Sequence, residues 1–139
     1  MESLQVSDYM NTHPVKLHID MPVAEAVEAL LVSQQSGGPV LDAKGKVVGF
    51  LSERDCIAQM IASSYYREQI CRVGEIMKTP VVSVKPYTSV LELAELLLKE
   101  KPRVYPVVDD DGNLLGCINR TAVLRAIDVQ LNDGYRQAG

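Results

Sequence analysis

Apolar residues recur at helical spacing in two separate stretches of the chain. Each stretch has five apolar positions three or four residues apart, which is typical of a helix that packs one face against a core. Ser89 and Glu92 precede the later stretch with the spacing of a capping box, and Asp20 and Pro22 favour a helix start before the earlier one. The two stripes are Val23, Ala26, Val27, Leu30 and Leu31, and Val90, Leu93, Ala94, Leu97 and Leu98.

Short extended runs surround each of these predicted helices. One run comes before the helix, and two follow it as a hairpin whose polar turn ends in Gly45 or Gly112. A glycine at the end of such a turn suits a left-handed backbone position. The predicted strands are residues 14–17, 39–41 and 47–51 in the first set and residues 81–84, 106–108 and 114–118 in the second.

A second helix is predicted after each hairpin. Ser52 and Asn119, both favourable N-cap residues, stand where these helices begin. In the first of them, Ile57 and Ile61 are the apolar positions expected to face the core.

The two sets of elements are copies of one unit. A shift of 67 residues places residues 6–59 on residues 73–126 without a gap, with identical residues at 14 positions. We therefore predict an α/β (α+β) fold made of two β-α-β-β-α repeats packed as a pseudo-twofold pair. The predicted division is residues 1–61 for the first repeat, 62–72 for the connection, and 73–139 for the second repeat with a C-terminal tail.

Composition narrows the possible partners and compartments. A chain of 139 residues with 47% hydrophobic content suits one domain with a single sizeable core. A net charge of −4 gives no basic surface for nucleic acid or an anionic membrane, and no apolar run approaches the roughly 18 residues of a membrane span. The N-terminus lacks a signal-peptide pattern, and three widely spaced cysteines favour a reducing compartment, so we expect a cytoplasmic protein.

The segment from Gly49 to Asp55 combines a hydroxyl and a carboxylate where a strand is predicted to turn into a helix. Ser52 and Asp55 have the spacing of a capping box, which is the purely structural interpretation. The same place suits a ligand, because a helix N-terminus favours a phosphate and a carboxylate can accept bonds from two ribose hydroxyls. Spacing alone leaves both interpretations open.

This chain resembles a tandem pair of CBS (cystathionine β-synthase) domains, known as a Bateman module, over about residues 6–127. The resemblance is carried by the repeated element order, the Pro-Val start of each central strand, the D-x-x-G turn, and a motif of glycine, two apolar residues, Ser or Thr, two variable residues, and Asp or Asn. It implies a cleft between the repeats that binds AMP, ADP, ATP or S-adenosylmethionine. The motif Asp is then expected to hold the ribose, with the hydroxyl residue near the ribose and phosphate.

The two copies match this motif unequally. Gly49, Ser52 and Asp55 match it in full, whereas the second copy has Ala122 where the ribose-binding Asp is expected. The resemblance therefore implies that the cleft around Asp55 is the competent one.

Further ligand contacts follow from the same resemblance. The first strand and the loop before the central strand of the opposite repeat are expected to grip the base, through Thr79, Pro80, Val82 and the neighbourhood of Arg103 to Tyr105. A phosphate would also need a cation. The candidate cations are Arg54, Arg103 and Arg120. No metal site is predicted.

Catalysis is not expected, because the chain has neither a nucleophile motif nor a set of metal-ligand spacings. We expect a non-catalytic regulatory module that senses an adenine nucleotide by conformational shift, with an effector protein that reads its state. Surplus apolar positions on the first helix of each repeat also predict a homodimer. The alternative is a purely structural dimerisation or docking module that binds no ligand.

Overall fold

The computed structural model describes residues 4–66, 71–99 and 103–138, which form a mixed α+β fold. The predicted fold class is confirmed. The chain begins with a 3₁₀ turn, Val6–Asp8. The helices are α1 (Val23–Ser33), α2 (Glu53–Tyr66), α3 (Val73–Ile76), α4 (Val90–Lys99) and α5 (Arg120–Ala138). The strands are β1 (Leu17–His18), β2 (Gly37–Leu41), β3 (Val47–Ser52), β4 (Val104–Val108) and β5 (Leu114–Asn119).

The first sheet has the order β1-β2-β3. Strand β1 runs parallel to β2 with Leu17 opposite Val40, and β2 runs antiparallel to β3 with Gly37 opposite Ser52. Gly45 ends the hairpin turn at a φ of 82°, as the sequence predicts. Strand β2 is the central strand of the sheet, and every one of its residues is buried.

The second sheet repeats this plan with β4 and β5. Its hairpin turn contains Gly112 at a φ of 87°. The extended run predicted at residues 81–84 is reduced to one parallel bridge, Val84 to Val107, and the run at 14–17 becomes the two-residue β1.

Each sheet is extended at one edge by a residue from the other repeat. In the first sheet, Phe50 of β3 exchanges two backbone hydrogen bonds with Lys78, at 3.0 and 2.8 Å. In the second, Cys117 of β5 exchanges two with Asn11, at 3.0 and 2.7 Å. Because of these pairings, the chain divides into two compact units that are not simply its two halves. We call residues 14–82 with 112–114 the Asp55 unit, and residues 1–13, 83–111 and 115–139 the Ala122 unit.

Each unit has its own hydrophobic core, and equivalent positions of the repeat fill both cores. The exchange reaches into the cores as well, because Val73 of the second repeat is buried in the Asp55 unit and Val6 of the first repeat in the Ala122 unit. The Asp55 unit buries Leu17, Ala26, Leu30, Val40, Leu51, Cys56 and Val73. The Ala122 unit buries Val6, Val84, Val90, Leu93, Tyr105, Val107, Ile118, Val123 and Ala126.

The predicted helix stripes are buried only in part. Leu31 and Leu98, the last positions of the two stripes, are 63% and 88% exposed. In α2 the prediction for Ile57 and Ile61 is wrong: both are more than half exposed, and the helix faces its core with Cys56 instead. Apolar residues lie on both sides of α2, and packing against the first sheet buries the side that carries Cys56.

The predicted connection is partly helical, because α2 continues to Tyr66. Residues 67–70 of that connection lie outside the described residues. The C-terminal tail predicted after the second repeat belongs to α5, which continues to Ala138. None of the helices in the described ranges is long and apolar enough to cross a membrane.

Candidate functional site

The candidate site begins with a complete capping box at the start of α2. Ser52 Oγ accepts a hydrogen bond from the Asp55 backbone N–H at 3.1 Å. Asp55 Oδ2 accepts two bonds in return, from the Ser52 N–H at 3.1 Å and from the Ser52 hydroxyl at 2.9 Å. The structural interpretation of this segment is therefore satisfied, and it holds one carboxylate oxygen in a defined position.

The other carboxylate oxygen of Asp55 faces a lysine. Lys78 Nζ lies 3.5 Å from Asp55 Oδ1. The Asp55 side chain is only 10% exposed, whereas that of Lys78 is 77% exposed. Sequence reasoning missed Lys78, because it stands 23 residues from Asp55 and only its pairing with Phe50 brings the two together.

The motif glycine explains how Lys78 comes so close to β3. A Cβ atom on Gly49 would collide with the Met77 side chain, including its Cγ at 2.8 Å. Because Gly49 has no side chain, Met77 lies directly against the strand, and the next residue, Lys78, can pair with Phe50. The glycine of the motif therefore shapes the site without being a polar contact.

The Ala122 unit repeats the cap but not the charges. Asn119 Oδ1 accepts a bond from the Ala122 N–H at 2.8 Å, which is half of a capping box. Asn11 occupies the position equivalent to Lys78. Gly116 lies against it, because a Cβ atom on Gly116 would stand only 2.5 Å from the Asn11 carbonyl oxygen. Both members of the Lys78–Asp55 ion pair are thus replaced by uncharged residues, Asn11 and Ala122, in the Ala122 unit.

Several predicted site residues lie in the same unit as Asp55. Arg54 is exposed on the first turn of α2. Thr79, Pro80 and Val82 directly follow Lys78 and are also exposed, with Val82 at 41%. All four are accessible on the unit that carries the full motif.

Three predicted site residues belong to the Ala122 unit. Arg103 and Arg120 are exposed there, and the Arg120 N–H donates to the Arg103 carbonyl oxygen at 3.2 Å. Tyr105 is fully buried and belongs to that unit's hydrophobic core.

The loop before the central strand of the Asp55 unit itself also reaches the start of α2. The Glu53 N–H donates to the Ser36 carbonyl oxygen at 2.8 Å, which is the counterpart of the Arg120–Arg103 bond. Gly38 follows, and a Cβ there would stand 2.6 Å from Val15 Cγ1. The family resemblance points to the equivalent loop of the opposite repeat and not to Ser36. The position of Ser36, 67 residues before Arg103, is the signal that could have found it.

Cys56 lies beneath the site, on the core side of α2. Burial raises the pKa of its thiol, and the negative charges of Asp55 and Glu53 raise that pKa further. The thiol therefore stays protonated and acts as a small apolar group. Within the described ranges, no group of three or more His, Cys, Asp or Glu side chains is arranged to hold a metal ion.

Comparison with known proteins identifies the family. The CBS domain family matches residues 6–62 and 73–129, so this chain belongs to the CBS domain family and carries two copies of the domain. CBSX1, a chloroplastic CBS domain-containing protein of Arabidopsis thaliana, is 31% identical over 161 residues, covering 96% of this chain and 68% of its own.

Solved structures agree with this assignment. The crystal structure of CBSX2 in complex with AMP superposes with a TM-score of 0.79 and 31% identity, covering 93% of this chain and 98% of that one. Another crystal structure of CBSX2 from Arabidopsis thaliana gives a TM-score of 0.80 at 28% identity.

A further relative by sequence is MJ1426 of Methanocaldococcus jannaschii, an uncharacterized protein. It is 24% identical over 156 residues, which cover 91% of this chain and 92% of its own.

Proposed function

We propose that this protein is a non-catalytic regulatory module that binds an adenosine-containing ligand at the Asp55 motif. The ligand class is AMP, ADP or ATP, with S-adenosylmethionine also possible, and no metal is required. The observation that carries the proposal is the nearly buried Asp55 carboxylate, with one oxygen held by Ser52 and the other beside an exposed cation. The similarity to CBSX2, whose crystal structure contains AMP, supports the same ligand class.

The capping box prepares Asp55 to accept ribose hydroxyls. Because Oδ2 is already engaged by two bonds from Ser52, Oδ1 is the oxygen that a ribose hydroxyl would approach. The carboxylate cannot rotate without breaking those bonds, so its direction is set before the ligand arrives. The N-terminus of α2, a helix of 14 residues, adds a favourable field for a phosphate.

The exposed residues near the motif complete the proposed site. Thr79, Pro80 and Val82 are proposed to contact the base, and Arg54 is a candidate cation for the phosphate. Arg103, Tyr105 and Arg120, the other residues of the predicted site, stay predictions. Because Tyr105 is a core residue of its unit, its proposed part is through the backbone around it.

Signalling is proposed to use association between copies of the chain. Each unit exposes large apolar side chains on its helices, and contiguous exposed apolar surface marks interaction sites. These are Leu31, Val32, Ile57, Met60 and Ile61 in the Asp55 unit, and Leu91, Leu98, Leu124 and Leu131 in the Ala122 unit. We propose that they form a homodimer interface, that an effector protein in the cytoplasm reads its state, and that the ligand biases that state.

A structural role is the second candidate, and the completeness of the capping box favours it. All the hydrogen bonds of Asp55 Oδ2 are explained by Ser52 without any ligand. On this view Ser52 and Asp55 stabilise the start of α2, and the exposed apolar helices serve only for docking or dimerisation.

Ligand-dependent stability separates the two candidates. A ligand present at about 100 times its Kd adds about 2.7 kcal/mol to the free energy of unfolding. We expect AMP, ADP or ATP to raise the Tm of the wild type by several degrees, and Asp55→Ala to lose that response.

Asn119→Ala is the matched control. It removes the equivalent helix cap of the other unit, at a cost of about 1 kcal/mol, and should keep the ligand response. Equal loss of stability in both variants with no ligand effect in the wild type would instead favour the structural role. Sedimentation of the same samples should give dimers, and a monomer at all concentrations would contradict the proposed interface.

A further inference from the structure

We infer that Lys78 is the group that reads the ligand's phosphate, so that the Asp55 site selects phosphorylated adenosine nucleotides over neutral nucleosides and over cationic S-adenosylmethionine. This inference rests on the proposed function of the same site and adds the ligand's charge class and the residue that determines it.

The geometry places an available cation at the carboxylate. The distance of 3.5 Å between Lys78 Nζ and Asp55 Oδ1 is longer than the roughly 2.8 Å of a close charge-assisted hydrogen bond. The Lys78 side chain is 77% exposed, so its ammonium group stays largely solvated while it faces Asp55. The ammonium group can therefore leave the carboxylate when a better anion is offered.

The base of the Lys78 side chain is nevertheless fixed. Its backbone N–H donates to the Phe50 carbonyl oxygen at 2.8 Å, and its carbonyl oxygen accepts from the Phe50 N–H at 3.0 Å. Phe50 stands two residues before Ser52, so the lysine leaves the sheet edge next to the start of α2. The side chain can move, but its backbone stays beside the site.

Ligand binding would then exchange partners at Asp55. A ribose hydroxyl that donates to Oδ1 replaces the lysine, and the displaced ammonium group needs another anion. A phosphate on the same ribose supplies one, and it attracts the ammonium group more strongly than a carboxylate does because it carries up to two negative charges. An uncharged nucleoside supplies none, and S-adenosylmethionine carries a sulfonium, a like charge, on the 5′ carbon where AMP carries its phosphate.

The other copy of the repeat shows that the lysine belongs with the carboxylate. Asn11 and Ala122 occupy the positions of Lys78 and Asp55, so both charges are missing together. Asn11 makes the same pair of backbone hydrogen bonds with β5 that Lys78 makes with β3. The other unit therefore already accommodates asparagine at this position, and Lys78→Asn should preserve the fold.

Calorimetric titration of the full chain with AMP, adenosine and S-adenosylmethionine tests the inference. We expect the wild type to bind AMP most tightly, and Lys78→Asn to weaken AMP about tenfold while adenosine changes by no more than about twofold. Lys78→Arg should keep most of the preference for AMP. Lys44→Asn is the matched control, since it removes an exposed lysine from the hairpin turn of the same unit and should change none of the three.

The outcomes distinguish this inference from the proposed function. If Asp55→Ala abolishes AMP binding but Lys78→Asn leaves the preference for AMP over adenosine unchanged, the role of Lys78 is wrong and the ligand site stands. The same holds if Arg54→Ala removes that preference and Lys78→Asn does not. If the wild type binds S-adenosylmethionine as tightly as AMP, the charge selection is wrong. If it binds none of the three and neither ADP nor ATP raises its Tm, both proposals are overturned.

Discussion

Two glycines of the repeated motif perform the same task against different neighbours. A Cβ on Gly49 would meet the side chain of Met77, whereas a Cβ on Gly116 would meet the backbone carbonyl oxygen of Asn11 at 2.5 Å. A flexible side chain can move aside, but a carbonyl oxygen that pairs with β5 cannot move without loss of its hydrogen bond to Cys117. Both repeats have glycine at this position, but a side chain should be tolerated less well at Gly116 than at Gly49.

This asymmetry predicts different costs for the same substitution. Gly116→Ala should lower the free energy of unfolding by about 3 kcal/mol or more, and Gly49→Ala by about 1–2 kcal/mol. Chemical denaturation measures both. In a double-mutant cycle, Met77→Ala should recover part of the loss caused by Gly49→Ala, because it makes room for the new methyl group. Equal costs for the two glycine variants would contradict this account.

The Cys117 thiol predicts a stability that depends on alkaline pH. Burial raises the pKa of Cys117 from 9.0 to about 12, so the folded protein holds this proton more tightly than the unfolded chain does. Its contribution is fully present below pH 9.0 and is lost as the pH rises toward about 12, by up to about 1.4 kcal/mol per pH unit.

Urea denaturation at about pH 8 and about pH 10 tests this, with Cys117→Ala as the reference. The wild type should lose about 1.4 kcal/mol more than Cys117→Ala between the two values. Other groups that titrate in this range, Cys56 and Tyr87 among them, contribute equally to both proteins and cancel. An identical pH dependence in the two would show that Cys117 is not protonated preferentially in the folded state.

At the scale of elements, the sequence predicted both hairpins and the four longer helices, but not α3 and not which face each helix turns inward. Both hairpins, their glycine turns and the starts of α1 and α4 are as predicted. Ile57 and Ile61 were expected in a core and are exposed, while Cys56 is buried. Apolar residues lie on both sides of α2, so periodicity alone does not choose between the faces, and packing against the sheet decides.

The same scale explains why the candidate site was only half predicted. The capping box lies within four consecutive residues, so Ser52 and Asp55 could be identified from their spacing. Lys78 and Ser36 reach the start of α2 only through sheet pairing and a loop contact, and no local pattern marks either of them.

At the scale of the whole molecule, each unit is completed by a segment of the other repeat. Val73 is buried in the core of the Asp55 unit, and Lys78 lengthens its sheet. The Val73 N–H also donates to the Met21 carbonyl oxygen at 2.8 Å, and the Gly74 N–H to that of Ile19 at 2.9 Å. Folding of the first repeat's sheet therefore depends on residues that lie beyond the first repeat.

Two fragments of equal length test this dependence. Residues 14–82 contain the whole buried core of the Asp55 unit, whereas residues 1–69 contain the first repeat but lack Val73 and Lys78. We expect the fragment 14–82 to show more helical circular dichroism and a more cooperative denaturation than 1–69, because only it buries the complete core. Indistinguishable behaviour of the two fragments would mean that the α3 segment is not needed to complete the unit.

The sequence by itself determined the duplication, the order of elements, the glycine turns and the cap at Asp55, because each depends on residues close together in the chain or on identity between the copies. Tertiary structure decided which helix faces are buried, which unit Val6 and Val73 belong to, and that a lysine from the second repeat faces the carboxylate of the first. These depend on contacts between distant segments, whose free energies come from packing and sheet pairing and leave no periodic trace in the sequence.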